Sequence, residues 1–209
     1  MDELNCYCIW LSSLKDRKQI IENLETAIQK VIFRCDAVDG QYHTNLFLNY
    51  KHIVPNETIN NGMIGCLLSH IGLMEIVDDN SKYVIFEDDC ECVAPIEEIN
   101  SFIVSVPEYD ILCLSASEYV KYSSTENSNI VSVKRFHGSH ALIVTNKAIK
   151  AILETYETYN KKNIFLPADW LYSVAIQEHN LKCYGPKNSK QFFKQTSGLV
   201  SSINGKIRN

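Results

Sequence analysis

The chain has 209 residues, of which 45% are hydrophobic and 22% charged. This composition is typical of a globular protein and excludes a largely disordered or fibrous chain. The 20 Lys and Arg residues against 25 Asp and Glu residues give a net charge of −5, which argues against a protein that binds nucleic acid over a broad basic surface.

The sequence favours a cytoplasmic protein without a membrane span. No run of eighteen apolar residues is present, whereas a spanning helix needs about that many. The acidic start, residues 1–5, lacks the basic end and the apolar run of a secretory signal. The eight cysteines are therefore expected as thiols. A zinc site in the pairs Cys6-x-Cys8 and Cys90-x-Cys92 is a minor alternative.

Strands and helices alternate from the start of the chain. A β-branched and aromatic run predicts a strand over 6–11, and apolar residues every three or four positions predict a helix over 15–30. A second strand is predicted at 31–33, before a turn at Asp39-Gly40. This order predicts a parallel sheet in an α/β domain.

The same alternation continues after a polar stretch over 45–61. Gly62 introduces a predicted helix that ends near 78–80, and a strand is predicted at 83–86. Pro95 then begins another helix. These elements extend the same sheet.

The second half of the chain predicts more strands and two further helices. Strands are expected at 110–114, 130–136 and 141–144, and helices begin at Thr145 and Pro167. The Ser/Asn-rich residues 119–129 are expected to form a mobile loop. No boundary divides the chain, which predicts a single domain over 1–209 with residues 187–209 as a candidate closing tail.

Three consecutive acids follow the predicted strand at 83–86: Glu87, Asp88 and Asp89. Ligands of open α/β sheets bind at the carboxyl ends of the strands. Like charges this close are costly unless a cation compensates them, and oxygen ligands select hard ions such as Mg²⁺ or Mn²⁺. The alternative is an acidic turn that is solvated.

Gly62 and Gly65 lie at the start of a predicted helix that also carries Ser69 and His70. A glycine backbone allows close approach of a ligand or of another chain segment. Both a ligand site and tight packing against the sheet fit this pattern. A Ser-His hydrolytic pair is disfavoured, because adjacent residues on a helix point about 100° apart.

Several blocks together resemble glycosyltransferase family 25 in their order and spacing. The most specific combination is Gly62-x-x-Gly65-Cys66-x-x-Ser69-His70 followed by Phe86-Glu87-Asp88-Asp89. The other blocks that share this order are Leu11 to Arg17, Ala37-Val38-Asp39-Gly40, Gly138-Ser139-His140-Ala141 and Pro167-Ala168-Asp169. Gln195 and Ser201-Ser202-Ile203 resemble the closing segment of the family.

The resemblance implies a GT-A-type, Rossmann-like domain with a mostly parallel central sheet. It implies an enzyme that moves a hexose from a UDP-sugar to an acceptor hydroxyl, with Mn²⁺ or Mg²⁺ and with inversion at the anomeric carbon. The acceptor is then a glycan, a glycolipid or a hydroxylysine. Basic residues near the carboxyl end are candidates to close over a diphosphate, or form a solvated tail: Lys187, Lys190, Lys194, Lys206 and Arg208.

The resemblance also implies roles for individual residues. Glu87, Asp88 and Asp89 bind the metal ion, and Asp169 is the candidate general base, although it is equally suited to cap its helix. His140 binds diphosphate or completes the metal shell, unless it is a core residue. The implied nucleotide-sugar residues are Leu11, Ser12, Arg17, Asp39, Gly62, Gly65, Ser69, His70 and His140.

Two other functions remain open at this stage. A nucleotidyl- or phosphoryl-transferring enzyme would use the same acids for Mg²⁺, although the chain has no P-loop motif. A non-catalytic module would bind the nucleotide sugar without turnover. The sequence does not identify the sugar, the acceptor or the oligomeric state.

Overall fold

The computed structural model describes residues 1, 4–77, 82–197 and 199. Some sequence-based expectations fall outside these residues: the helix end at 78–80, the closing residues Ser201, Ser202 and Ile203, and the basic residues Lys206 and Arg208.

Five α-helices and twelve strands are formed within the described residues. The helices are α1 (Lys15–Ile28), α2 (Asn61–Ile76), α3 (Ile96–Ser105), α4 (Asn146–Lys161) and α5 (Ala168–Glu178). The strands of the first half are β1 (Asn5–Trp10), β2 (Ile32–Asp36), β3 (Lys51–His52), β4 (Lys82–Glu87) and β5 (Cys90–Cys92). The later strands are β6 (Ile111–Ser115), β7 (Glu118–Ser124), β8 (Ile130–His137), β9 (Ala141–Thr145), β10 (Ile164–Phe165), β11 (Cys183–Pro186) and β12 (Phe193–Gln195).

One large sheet organises the described part of the chain, with strand order β2-β1-β4-β9-β6-β11-β8-β7. β1 is parallel to β2 and β4, and β6 is parallel to β11. β8 and β9 run opposite to the other six strands of this sheet, which share one direction. The prediction of an α/β domain with a mostly parallel sheet is confirmed.

Helices cover both faces of this sheet, because successive side chains of a strand point to opposite faces. In β4, Tyr83 and Ile85 pack with buried residues of α2, α4 and α5. Val84 and Phe86 pack with buried residues of α1 and α3. The continuous apolar character of β4 therefore reflects burial on both faces.

The expected mobile loop at 119–129 is wrong over its first part. Glu118–Ser124 forms β7, which pairs antiparallel with β8 at the edge of the sheet. Most residues of this strand are exposed. Its sequence therefore lacks the hydrophobic alternation of a half-buried strand and predicted a loop. Only the backbone pairing with β8 makes it a strand.

Two short strands near the site were not predicted. β12 pairs antiparallel with β5, placing Gln195 opposite Cys90. Each is three residues long, and neither has a hydrophobic pattern that marks a strand. Their pairing brings the end of the described chain to the acidic turn after β4.

Two buried cysteines, Cys8 and Cys90, lie in the core beneath this turn. Burial raises the pKa of both thiols well above the usual range, and negative charges nearby act in the same direction. Both side chains are therefore neutral at physiological pH.

No α-helix of the described residues combines the length and apolar character that a membrane crossing requires.

Gly65 of α2 allows the helix to contact the turn that follows β2. A Cβ atom added at Gly65 would lie 2.5 Å from the carbonyl oxygen of Val38 and 3.0 Å from the backbone nitrogen of Gly40. At Gly40 an added Cβ would collide with the carbonyl oxygen of Asn61. Both glycines are thus required for backbone-to-backbone packing, as one of the two sequence-based interpretations expected for Gly65.

We predict that Gly65→Ala lowers the free energy of unfolding by about 1–3 kcal/mol, because the atoms that oppose its Cβ belong to the backbone. Gly72→Ala in the same helix is the matched control, since no described atom lies within 4 Å of its added Cβ. Its higher helix propensity gives a gain of up to about 1 kcal/mol. Urea denaturation measures both changes, and equal stability of the two variants would contradict the packing role.

Candidate active site

The carboxyl ends of β1, β2 and β4 meet at one edge of the sheet, because these neighbouring strands are parallel. A cavity of about 140 Å³ opens at this edge, here called the first cavity. Nine of the predicted site residues line it: Leu11, Asp39, Gly62, Gly65, Ser69, His70, Glu87, Asp88 and Asp89.

Arg17, which the resemblance places beside the nucleotide, is buried against the acidic turn. Its side chain is 2% exposed, and its Nη1 atom lies 3.0 Å from Asp88 Oδ1 and 3.2 Å from Asp89 Oδ2. The other oxygen of Asp88 accepts a hydrogen bond from the backbone N–H of Leu11 at 3.0 Å. Arg17 therefore supplies a positive charge that lowers the cost of burying Asp89 beside the partly exposed Asp88.

Asp89 is also held from the end of the described chain. Its Oδ2 atom accepts a hydrogen bond from the side-chain amide of Gln195 at 3.1 Å, and its carbonyl oxygen accepts one from the backbone N–H of Thr196 at 2.7 Å. The unpredicted pairing of β12 with β5 creates these contacts. The resemblance of Gln195 to a closing segment thus corresponds to a direct contact with the acidic turn.

Glu87 lies at the end of β4 among two histidines and a serine. Ser139 donates a hydrogen bond of 2.6 Å to Oε1, His140 Nδ1 lies 3.4 Å from Oε2, and His70 Nε2 lies 3.7 Å from Oε1. Burial by itself raises the pKa of Glu87, but the hydrogen bonds and charges of His140 and His70 hold it well below the usual value. The carboxylate is therefore ionised at neutral pH.

Glu87, Asp89 and His140 offer ligand atoms that all lie within 4.8 Å of one another. Two carboxylates and one imidazole suit a divalent ion, and the imidazole favours Mn²⁺ over Mg²⁺, which prefers oxygen. Asp88, the third predicted ligand, is outside this group, and its two oxygens accept hydrogen bonds from Arg17 and from the Leu11 N–H. The residues present therefore fit the implied metal ion, and they include His140, for which the resemblance implied a place at the diphosphate or in the metal shell.

A short loop delivers His140 to this position. Gly138 adopts a left-handed backbone conformation with φ of 70°, which favours glycine. The loop then places Ser139 and His140 against Glu87, while His140 Nε2 is hydrogen-bonded to Ser117 Oγ at 3.0 Å. A second partner on the far ring nitrogen is what commonly orients a metal-binding histidine.

His70 lines the first cavity and is oriented by Tyr172 of α5. The Tyr172 hydroxyl lies 2.9 Å from His70 Nδ1. Burial, followed by the charges of Cys66 and Glu87, raises the pKa of Tyr172 well above its usual range, so this hydroxyl stays protonated. Cys66, His70 and Glu87 form a second group of ligand atoms within 4.8 Å of one another.

Ser69 and Asp39 both stabilise the wall of the first cavity. Ser69 Oγ accepts a hydrogen bond from the Val38 N–H at 2.8 Å and donates one to the Gly65 carbonyl at 2.6 Å. Asp39 accepts hydrogen bonds from the backbone and side chain of Gln41. Both residues line the first cavity, and the two hydrogen bonds of Ser69 connect α2 to the turn after β2.

The structure places Ser12 and Asp169 elsewhere. Ser12 is exposed and is outside the residues that line the first cavity. Asp169 lines a second cavity of about 610 Å³. It is not the cap of α5, since Pro167 holds that position; its carboxylate accepts hydrogen bonds from the Gly138 N–H at 3.2 Å and from the Trp170 N–H at 2.8 Å.

The two cavities are neighbours. Gly62 lines the first and Met63 lines the second, so they border the same turn of α2. The loop from Gly138 to His140 also connects them, because its first residue binds Asp169 and its last contacts Glu87. A group bound in one cavity is therefore close to the other.

Sequence reasoning missed the residues that orient this site: Ser117, Ser139, Tyr172 and Thr196. Ser139 stands inside a block that carried the family resemblance, which is a signal that could have found it. The other three lie far from the acids in the sequence, and no pattern connects them.

Several solved structures of other proteins align with most of this chain. A mutant Drosophila β-1,4-galactosyltransferase 7, in complex with manganese, UDP-Gal and xylobiose, aligns with a TM-score of 0.50 and 10% identity, over 92% of this chain and 69% of that one. This likeness supports a GT-A-type fold. Mouse xyloside xylosyltransferase 1 aligns with a TM-score of 0.45 and 12% identity, over 86% and 70%.

A 4-diphosphocytidyl-2C-methyl-D-erythritol synthase from Anaerococcus prevotii also aligns, with a TM-score of 0.45 and 10% identity, over 97% and 96% of the two chains. No curated protein matches the sequence. The model of glycosyltransferase family 25 (LPS biosynthesis protein) matches residues 3–172, and the chain therefore belongs to this family.

Proposed function

We propose that this glycosyltransferase moves a hexose from a UDP-sugar to an acceptor hydroxyl with the help of Mn²⁺ or Mg²⁺, and with inversion. The acceptor is a glycan, a glycolipid or a hydroxylysine. The observation that carries the proposal is the group formed by Glu87, Asp89 and His140 beside the first cavity, in a chain of glycosyltransferase family 25.

The position of the group supports a metal-bound diphosphate. It lies at the carboxyl ends of parallel strands, where nucleotides bind to α/β sheets. A bound divalent ion supplies neutralisation of the charge that develops on the departing diphosphate. The carboxylates of Asp89 and Glu87 are held by Arg17, Gln195 and Ser139, so little reorganisation is needed when they act as ligands.

The first cavity supplies a site for the nucleotide. The first turn of α2, with Asn61 and Gly62, lines one wall, and the amino end of a helix carries a partial positive charge that favours phosphate. Leu11 offers an apolar contact to the base, and Asp39 offers an acceptor for a ribose hydroxyl. These assignments rest on their positions in the wall.

Asp169 in the second cavity is proposed as the general base. The acceptor oxygen forms a bond to the anomeric carbon while the bond from that carbon to the diphosphate oxygen breaks, and its electron pair leaves with UDP. The acceptor proton passes to the Asp169 carboxylate. The hydrogen bond from the Gly138 N–H holds this carboxylate in position, on the other side of the Gly138–His140 loop from the acidic group.

A donor screen tests the function. The protein is incubated with Mn²⁺ and a panel of UDP-sugars, and UDP release is measured with and without acceptor sugars. We expect one UDP-hexose to give release well above the others, and chelation of the metal to abolish it. Pyrophosphate release from a nucleoside triphosphate instead would indicate a nucleotidyltransferase, and tight binding without turnover would indicate a binding module.

Asp89→Asn is expected to lower metal-dependent UDP release by about a hundredfold or more, because the lost charge acts electrostatically on the ion. The fold is expected to survive, since Arg17 keeps Asp88 as a partner at 3.0 Å. Glu91→Gln is the matched control, as Glu91 pairs with Lys194 outside the metal group. Titration of Mn²⁺ binding and thermal unfolding accompany the assay; near-normal turnover of Asp89→Asn refutes the metal assignment.

Asp169→Asn is expected to slow transfer by about 10²–10⁴-fold, the usual contribution of a general base. Binding of the UDP-sugar is expected to stay unchanged, because Asp169 lines the second cavity. The measurements are kcat at saturating donor and the Kd of the donor. Glu57→Gln changes the other carboxylate of that cavity and serves as the control. Weakened donor binding with unchanged turnover would show that Asp169 is not the base.

A further inference from the structure

The second cavity contains a cation that forms no ion pair with a carboxylate of the described residues. Arg135 of β8 lines this cavity, and its guanidinium lies 3.8 Å from the centre of the Trp170 ring. Among the arginines in the described residues, Arg17 and Arg34 each pair with carboxylates. Arg135 has no carboxylate of the described chain within ion-pairing distance, and its Nε atom is buried without a hydrogen-bond partner.

Two neighbours hold Arg135 in place. Trp170 covers one face of the guanidinium plane, which leaves the edge of the plane, with its N–H donors, available for hydrogen bonds. His137 Nε2 lies 3.4 Å from an Arg135 Nη atom, while His137 Nδ1 lies 3.1 Å from Glu118. If His137 accepts from Arg135, its Nδ1–H donates to Glu118. The guanidinium is therefore oriented without being neutralised.

We propose that the second cavity is the acceptor site and that Arg135 binds an anionic group, a carboxylate or a phosphate, on the acceptor sugar. This inference rests on the proposed function. A planar guanidinium forms paired, charge-assisted hydrogen bonds with such groups. Because one face of Trp170 is occupied by Arg135, Trp170 acts here by positioning the arginine.

The two carboxylates of the second cavity are consistent with this ligand. Asp169 accepts backbone hydrogen bonds and is the proposed base, so it faces the reacting hydroxyl. Glu57 Oε2 lies 3.6 Å from His52 Nε2 and its side chain is 52% exposed, so solvent screens its charge. The cavity thus selects an acceptor with a negative group at one end and a hydroxyl at the other.

The wild-type protein tests the inference without any substitution. With Mn²⁺ and the accepted donor, three matched acceptors are compared: a methyl hexoside, its 6-carboxylate (the uronide) and its 6-phosphate, in the glucose and galactose series. We expect kcat/KM, or the inhibition constant where there is no turnover, to favour a charged member by about tenfold or more. The better charged member identifies the group, and equal use of neutral and charged members in both series overturns the inference.

Arg135→Gln is expected to remove this preference. Its kcat/KM for the charged acceptor falls about tenfold or more, while use of the neutral acceptor and acceptor-independent hydrolysis of the UDP-sugar stay unchanged. Arg34→Gln is the matched control, since Arg34 also lies over a tryptophan, Trp10, but outside both cavities. An equal loss for neutral and charged acceptors would overturn the role of Arg135.

The two proposals fail in different ways. If the wild-type protein neither transfers nor hydrolyses any UDP-sugar, the proposed function is wrong and the inference falls with it. If hydrolysis is normal but charged acceptors are not preferred, only the inference is wrong. Should Arg135→Gln fail to fold, the comparison of acceptors on the wild-type protein still decides.

Discussion

The site depends on the burial of one guanidinium beside two adjacent carboxylates. Arg17 of α1 is 2% exposed and Asp89 is 3% exposed, and the opposite charge of each lowers the free energy cost of burying the other. The same contacts fix α1 and, through Gln195, the last described strand against the end of β4. Asp88 is used in this framework, which leaves Glu87, Asp89 and His140 as the group suited to a metal ion.

One short loop connects the two halves of the proposed reaction. Gly138 binds Asp169 through its backbone, and two residues later His140 contacts Glu87. The proposed base and the group proposed to hold the metal ion thus both contact a single segment between β8 and β9, the two strands that run opposite to the others. Their reversed direction brings this loop to the edge of the sheet where β4 ends, because β9 pairs antiparallel with β4.

The antiparallel half of the sheet also supplies the second cavity. β8 carries Arg135 and His137, and α5 supplies Trp170 and Asp169. The parallel half provides the cavity proposed for the nucleotide, with a helix amino end and carboxylates suited to phosphate and metal. Each half of the sheet thus provides the side chains proposed to bind one of the two substrates. Adjacent residues of α2, Gly62 and Met63, line the two cavities.

Local patterns in the sequence determined the α/β alternation, the strand that ends at Glu87, the cap at Thr145 and the helix that begins after Pro167, because hydrophobic period and capping depend on neighbouring residues. Motif order further indicated the family. Only the tertiary structure made residues 118–124 a strand, buried Arg17 against Asp88 and Asp89, and brought His140 together with Glu87 and Asp89. These outcomes depend on which residues, distant in the sequence, come together in the folded chain. Ion pairs and strand pairing between such residues produce no periodic pattern in the sequence.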